Sequence, residues 1–154
     1  MENMDKAAAQ KRKDALKKEM ESLDEIINAR EKDITDEIKT MDDVYRYNGV
    51  KESDVLPYSN PKSGKQRALN ACAMLVEMVE ALNEGWTPNW DDSSQYKYYG
   101  WFRMSSSGFG LHGLGYVYSG SANDVGSRLC FKSSELAKYA GEKFKKLYKE
   151  WMLI

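Results

Sequence analysis

The sequence predicts an α+β domain preceded by a long helix, and three observations lead there. Residues 3–33 contain neither Pro nor Gly and are rich in Ala, Lys, Glu and Leu, all good helix formers. Apolar residues recur at helical spacing over residues 65–84 and again from 134 to 151. Between those helices, residues 96–118 alternate aromatic with other side chains and are punctuated by glycine, the texture of short strands and a hairpin. Helices, then an antiparallel sheet of about three strands, then an amphipathic helix make an α+β order. The length of 154 residues suits one domain plus an extension. The expected division is a heptad-patterned helical extension over residues 1–34 and a single domain over 35–154.

In the extension, Leu16, Met20, Leu23, Ile27 and Ile34 follow steps of four, three, four and seven. That is a coiled-coil-like seam on a helix otherwise charged in both signs. A lone helix of this kind is marginal in water. The seam is therefore expected to pair, with a second copy, with a protein partner, or with the domain behind it.

Thr40 followed by Asp43 reads as a capping box opening a short helix, with Asn48-Gly49 as its stop. Residues 50–64 hold two of the three prolines and read as a loop. The next helix, about 65–84, carries Leu69, Cys72, Val76, Val79 and Leu82 or Asn83 on one face. Met74, Leu75 and Met78 widen that face, and Gly85 is a stop.

Trp86, Pro88 and Trp90 open a connection to the aromatic hairpin. Strand alternation puts Tyr98, Phe102 and Met104 on one side and Lys97, Tyr99, Trp101 and Arg103 on the other. Residues 105–108 are a turn signal, and 109–118 the return strand. A third short strand is expected over 128–132. Ser133 caps the last helix, whose inner stripe is Leu136, Ala140, Phe144, Leu147 and Trp151.

Charge is uneven although the net is −1. Residues 35–95 carry −5 and residues 96–154 carry +5, an asymmetry suited to an anionic partner or to pairing within the fold. No apolar run approaches a membrane span. The first residues lack the apolar core of a signal peptide, so the chain is expected inside a cell. Cys72 and Cys130 are expected to be reduced, buried thiols.

Catalytic chemistry finds little footing. His112 is the only histidine, so no metal pair forms, and two isolated cysteines give no zinc spacing. The stretch SNPKSGKQ at 59–66 fails as a phosphate loop: Ser59 replaces the first Gly and Gln66 the Ser or Thr. Asp91-Asp92 reads as a solvated turn. No catalytic residue, metal or cofactor is assigned.

The segments ALNEGW (81–86), YKYYGWF (96–102) and VGSRLCFKSSELAKYAG (125–141) resemble a family of uncharacterised proteins from phages and mobile elements of Bacteroidetes. The likeness runs from about residue 38 to the C-terminus and leaves the heptad helix outside it. The family commonly has Pro at the position of Gly100. It has no assigned activity, so the resemblance implies context alone: the bacterial cytoplasm of a host cell, or a virion.

Lys97, Tyr99, Trp101 and Arg103, with Arg128, form the candidate partner-binding set. Aromatic rings beside cations suit a protein interface and also suit stacking on bases. As strong strand formers, the same residues also suit a purely structural face that covers the helices, which is the commoner role. The expected function is non-enzymatic: a phage or mobile-element accessory protein acting through protein–protein contacts, as a virion component or an inhibitor of host defence. The alternative is a nucleotide or single-stranded nucleic-acid binding, sequestering protein that uses the same hairpin. The near-neutral charge speaks against strong nonspecific DNA binding.

Overall fold

The computed structural model describes residues 6–31, 33–105, 108–121 and 125–153. The elements in order are α1 (Lys6–Glu31), α2 (Ile34–Glu37), α3 (Met41–Asn48), α4 (Glu52–Val55), α5 (Gly64–Asn83), β1 (Lys97–Ser105), β2 (Gly108–Val117), α6 (Ser134–Lys143) and α7 (Lys145–Met152). The class is α+β, as the sequence predicts. Among the described residues the sheet has two strands rather than about three. The chain divides into two units, Met1–Asp36 and Glu37–Ile154.

The first unit is dominated by α1. Leu16, Met20 and Leu23 are all more than half exposed along it. The side chain of Ile27 lies outside the described residues. The helix ends at Glu31, so Ile34 does not continue the seam: it opens α2 and is buried.

In the second unit, α3 begins and ends as its sequence dictates. Thr40 accepts from Asp43 N while the Asp43 carboxylate accepts from Thr40 N, and Gly49 caps the end at φ 69°. The α5 helix is the hub, packing on α3 and α7. Its buried line is Ala68, Ala71, Leu75, Met78 and Leu82. Val79, Leu82 and Asn83 of the expected face are buried, but its first part is set one residue off: Leu69 is 44% exposed while Ala68 and Ala71 are buried. The Met78 side chain lies at the centre of the core rather than at its margin.

Two asparagines on α5 explain how the irregular segments are held. Asn70 accepts from Tyr58 N at 3.0 Å and donates to Tyr58 O at 2.8 Å. Asn83 donates to Cys130 O at 2.9 Å and accepts from Lys132 N at 3.0 Å. Each buried amide thus satisfies a stretch of backbone as a neighbouring strand would.

The expected third strand at 128–132 is only an isolated bridge. Phe131 exchanges both backbone hydrogen bonds with Tyr98, at 3.0 and 2.7 Å. Residues 125–128 instead form a turn, with Gly126 left-handed at φ 54°. The Ser127 hydroxyl accepts from Trp90 Nε1 at 2.7 Å and anchors that turn. Pairing therefore stops after one residue.

The last helix is likewise broken. Phe144 sits between α6 and α7 at φ −102°, ψ 25°. Leu136, Ala140 and Phe144 are buried as expected, but the break turns the stripe onto Tyr148. Leu147 and Trp151 are only half-buried.

Candidate functional site

The β1–β2 hairpin and α7 build the site. The strands pair antiparallel from Lys97 with Val117 to Ser105 with Gly108, and the register shifts between Trp101 and Phe102. His112 is the extra residue opposite that step. Such a bulge sharpens the local twist and re-aims side chains.

One face of the ribbon packs inward. Phe102 stacks on Phe109 at 5.2 Å between ring centroids and meets Tyr148 at 4.5 Å. Tyr148 is buried, and burial pushes its phenol well above the usual range. Met104 was expected on this inner face, yet it is 51% exposed. Its cross-strand partner Phe109 is buried, while Met104 itself opens onto the edge of β1.

On the other side of the ribbon, the five candidate residues separate. Trp101 is 59% exposed and pairs across the ladder with Gly113, which has no side chain to cover the indole. Arg103 is exposed and its Nη2 donates to His112 Nδ1 at 3.2 Å. Tyr99 is half-buried and lies flat across Gly115, where a Cβ would fall 2.4 Å from the ring. Arg128 is exposed on the 125–128 turn.

Lys97 must be removed from that set. It is fully buried, and its ammonium donates to four backbone carbonyls: Asn89, Asp92, Gln95 and Tyr118. The Trp90 ring lies 5.3 Å from the charge. An ammonium has three protons, so four acceptors and a ring face saturate it. Lys97 is a structural staple for the 86–95 connection. Alternation along the strand placed it with Tyr99 and Trp101 correctly, but gave no sign that a loop folds over that end of the ribbon.

Beside β1 lies an apolar cavity of about 380 Å³. Five residues of β1, from Tyr99 to Phe102 and Met104, line it, and no residue of β2 does. It therefore follows the outer edge of β1. Val125 and Leu129 of the turn form one wall, and Tyr148, Trp151 and Met152 of α7 the other. The sequence pointed to the hairpin but not to these walls. The apolar end of α7 was the available signal.

At the opposite end of the ribbon, Tyr96 meets Tyr116 edge-on at 5.0 Å and Tyr118 at 6.4 Å. These rings contact one another, leaving no slot between them.

The thiols are set back from reaction. Burial raises Cys130 to about 11 and also raises Cys72. Among the described residues, no cluster of three His, Cys, Asp or Glu side chains is placed to hold a metal ion. No described helix is long and apolar enough to cross a membrane.

No protein-family model matches the chain, and neither a curated protein nor a solved structure matches it.

Proposed function

We propose that this chain is a non-enzymatic accessory protein that acts by binding another protein through the cavity beside β1. One observation carries the reading: an apolar cavity opens against a strand edge, with Trp101 59% exposed on its lining. Large exposed aromatics beside an apolar pocket are typical binding anchors. The resemblance to proteins of Bacteroidetes phages and mobile elements supplies the context, a virion component or an inhibitor of host defence in a bacterial cytoplasm. The exposed Leu16, Met20 and Leu23 support a second role for α1 in association, with another copy or with the same partner.

The nucleotide or single-strand reading keeps one specific support. Trp101 and Arg103 are both exposed and two residues apart on one strand, where a base could stack and a phosphate pair. It has lost Lys97, which is spent on carbonyls.

The experiment is affinity capture with the tagged full chain from infected or element-bearing cells, followed by identification of proteins and nucleotides. A stoichiometric protein whose retention resists moderate salt supports the reading. A bound nucleotide or oligonucleotide, released as salt rises, supports the alternative.

A further inference from the structure

We propose that β1 receives an extended segment of the protein partner as an added strand, so that recognition runs through backbone hydrogen bonds. This rests on the protein-binding reading and names what the cavity takes.

The hydrogen-bond pattern sets the occupant's shape. In an antiparallel ladder, residues turn both backbone groups alternately toward and away from the neighbouring strand. Tyr98 gives both its groups to Phe131, away from β2. The same parity points the N–H and C=O of Gly100, Phe102 and Met104 outward along that edge. A continued third strand would place Leu129 opposite Gly100, but the turn at 125–128 carries the chain off. Among the described residues, no backbone hydrogen bond extends the edge beyond Tyr98. Free edges are a liability that proteins usually blunt with charge, proline or a covering loop. Here the edge is an apolar cavity wall with a ready ladder, the arrangement used in strand addition.

The lining sets the occupant's side chains. Residues of an added strand alternate between two faces. One face would meet Trp151 and Met152 of α7, and the other Tyr99 and Trp101. None of the lining residues is charged, so apolar residues are required within the cavity. Next to lining residues in the chain, Arg128 and Lys149 are exposed, whereas the adjacent Glu150 is paired with Arg67 at 2.9 Å and Arg103 is turned across the ribbon to His112. The segment that fits is therefore about five residues long, extended and apolar, with acidic residues flanking it. A second copy fits less well: antiparallel pairing of two β1 edges would gather both sets of those cations.

The test selects ten-residue peptides from a random displayed library on the immobilised full chain. Binding of the winners is then measured to the wild type, Met104→Ala and Met104→Pro. Proline at 104 removes an outward N–H without breaking the ladder to β2, the position where edge strands tolerate it. Enriched peptides should be apolar over the cavity length with Asp or Glu at the ends. Met104→Ala measures what the lining side chain contributes, and Met104→Pro should weaken them at least tenfold beyond Met104→Ala. Circular dichroism with unchanged melting certifies the fold, and Gln substituted at Gly100 serves as no control because its Cβ would strike Phe102. Should Met104→Pro misfold, N-methylation at alternate positions of the peptide replaces it and should abolish binding. Winners with helical spacing, or winners indifferent to both Met104→Pro and N-methylation, would overturn strand addition. If those winners still lose binding in Trp101→Ala, the protein-binding reading survives. Absence of any enriched peptide, with no captured protein partner, would sink both. Concentration-dependent dimers that Met104→Pro dissolves would assign the edge to a second copy and overturn the proposal.

Discussion

Lys97 Nζ donates to the carbonyl of Tyr118 at 2.8 Å, joining the start of β1 to the chain just past the end of β2. The same ammonium holds the carbonyls of Asn89 and Gln95. A single buried charge thus ties the 86–95 connection to both strands of the hairpin. Replacing it with Met leaves several carbonyls buried without a donor, each of which carries a desolvation cost. Lys97→Met should lower stability by about 3 kcal/mol. Chemical denaturation of the purified chain checks this. A loss under about 0.5 kcal/mol, the usual range for surface changes, would place Lys97 in solvent.

The break at Phe144 predicts which aromatic residues of the C-terminal helices matter. Phe144→Ala and Tyr148→Ala should each cost about 3–5 kcal/mol, since both side chains are buried. Lys145→Ala and Lys149→Ala should stay within about 0.5 kcal/mol. Trp151→Ala should fall between the two sets, because α7 leaves that ring half-buried in the cavity wall. Equal shifts across all five variants would mean that α7 has no inner face.

Asn83 predicts the behaviour of the segment leading into α6. Asn83→Ala removes the partners of Cys130 O and Lys132 N together. The expected cost is about 2–3 kcal/mol, from two backbone groups left unpaired. Amide exchange at Lys132 should accelerate before exchange in α5. Unchanged protection there would contradict the role given to this side chain.

Stability should decline in alkali. Burial raises Cys130 from 9.0 to about 11 and Tyr45 from 10.0 to about 12. Both groups are neutral in the fold while the unfolded chain already ionises, so the unfolded state gains first. Their contribution is complete below pH 9 and is lost as pH rises through 11 to 12. Melting temperatures between pH 8 and 11 test this, and Cys130→Val should flatten the first part of the fall. A profile level to pH 11 would contradict the burial of both groups.

Much of the fold was legible where local chemistry decides it. The capping box of Thr40 and Asp43, the left-handed Gly49, the Ser133 cap and the long helices all follow from neighbouring residues. What was not legible depends on contacts distant in sequence. The third strand fails because Ser127 is anchored by Trp90, 37 residues away. Lys97 is buried by a loop that composition marks as polar. One wall of the cavity comes from α7, and its placement turns on a break that the sequence, read as one continuous helix, conceals. For the site, alternation separated Phe102 from Trp101, but could not show that Arg103 is turned toward His112.

For α1, exposed Leu16, Met20 and Leu23 predict association. Light scattering should give a mass above the monomer for the full chain and a monomer for one lacking residues 1–31. Two monomers would exclude self-association and leave α1 to a foreign partner.

The most direct test of the account compares partner capture and melting temperature for Trp101→Ala/Arg103→Ala against the wild type. Both side chains are exposed, so the double variant should melt almost where the wild type does, within the roughly 0.5 kcal/mol of surface changes. Capture of the protein partner should fall at least tenfold. Unfolding of the variant would place Trp101 in the core, and undiminished capture would move the interface away from β1.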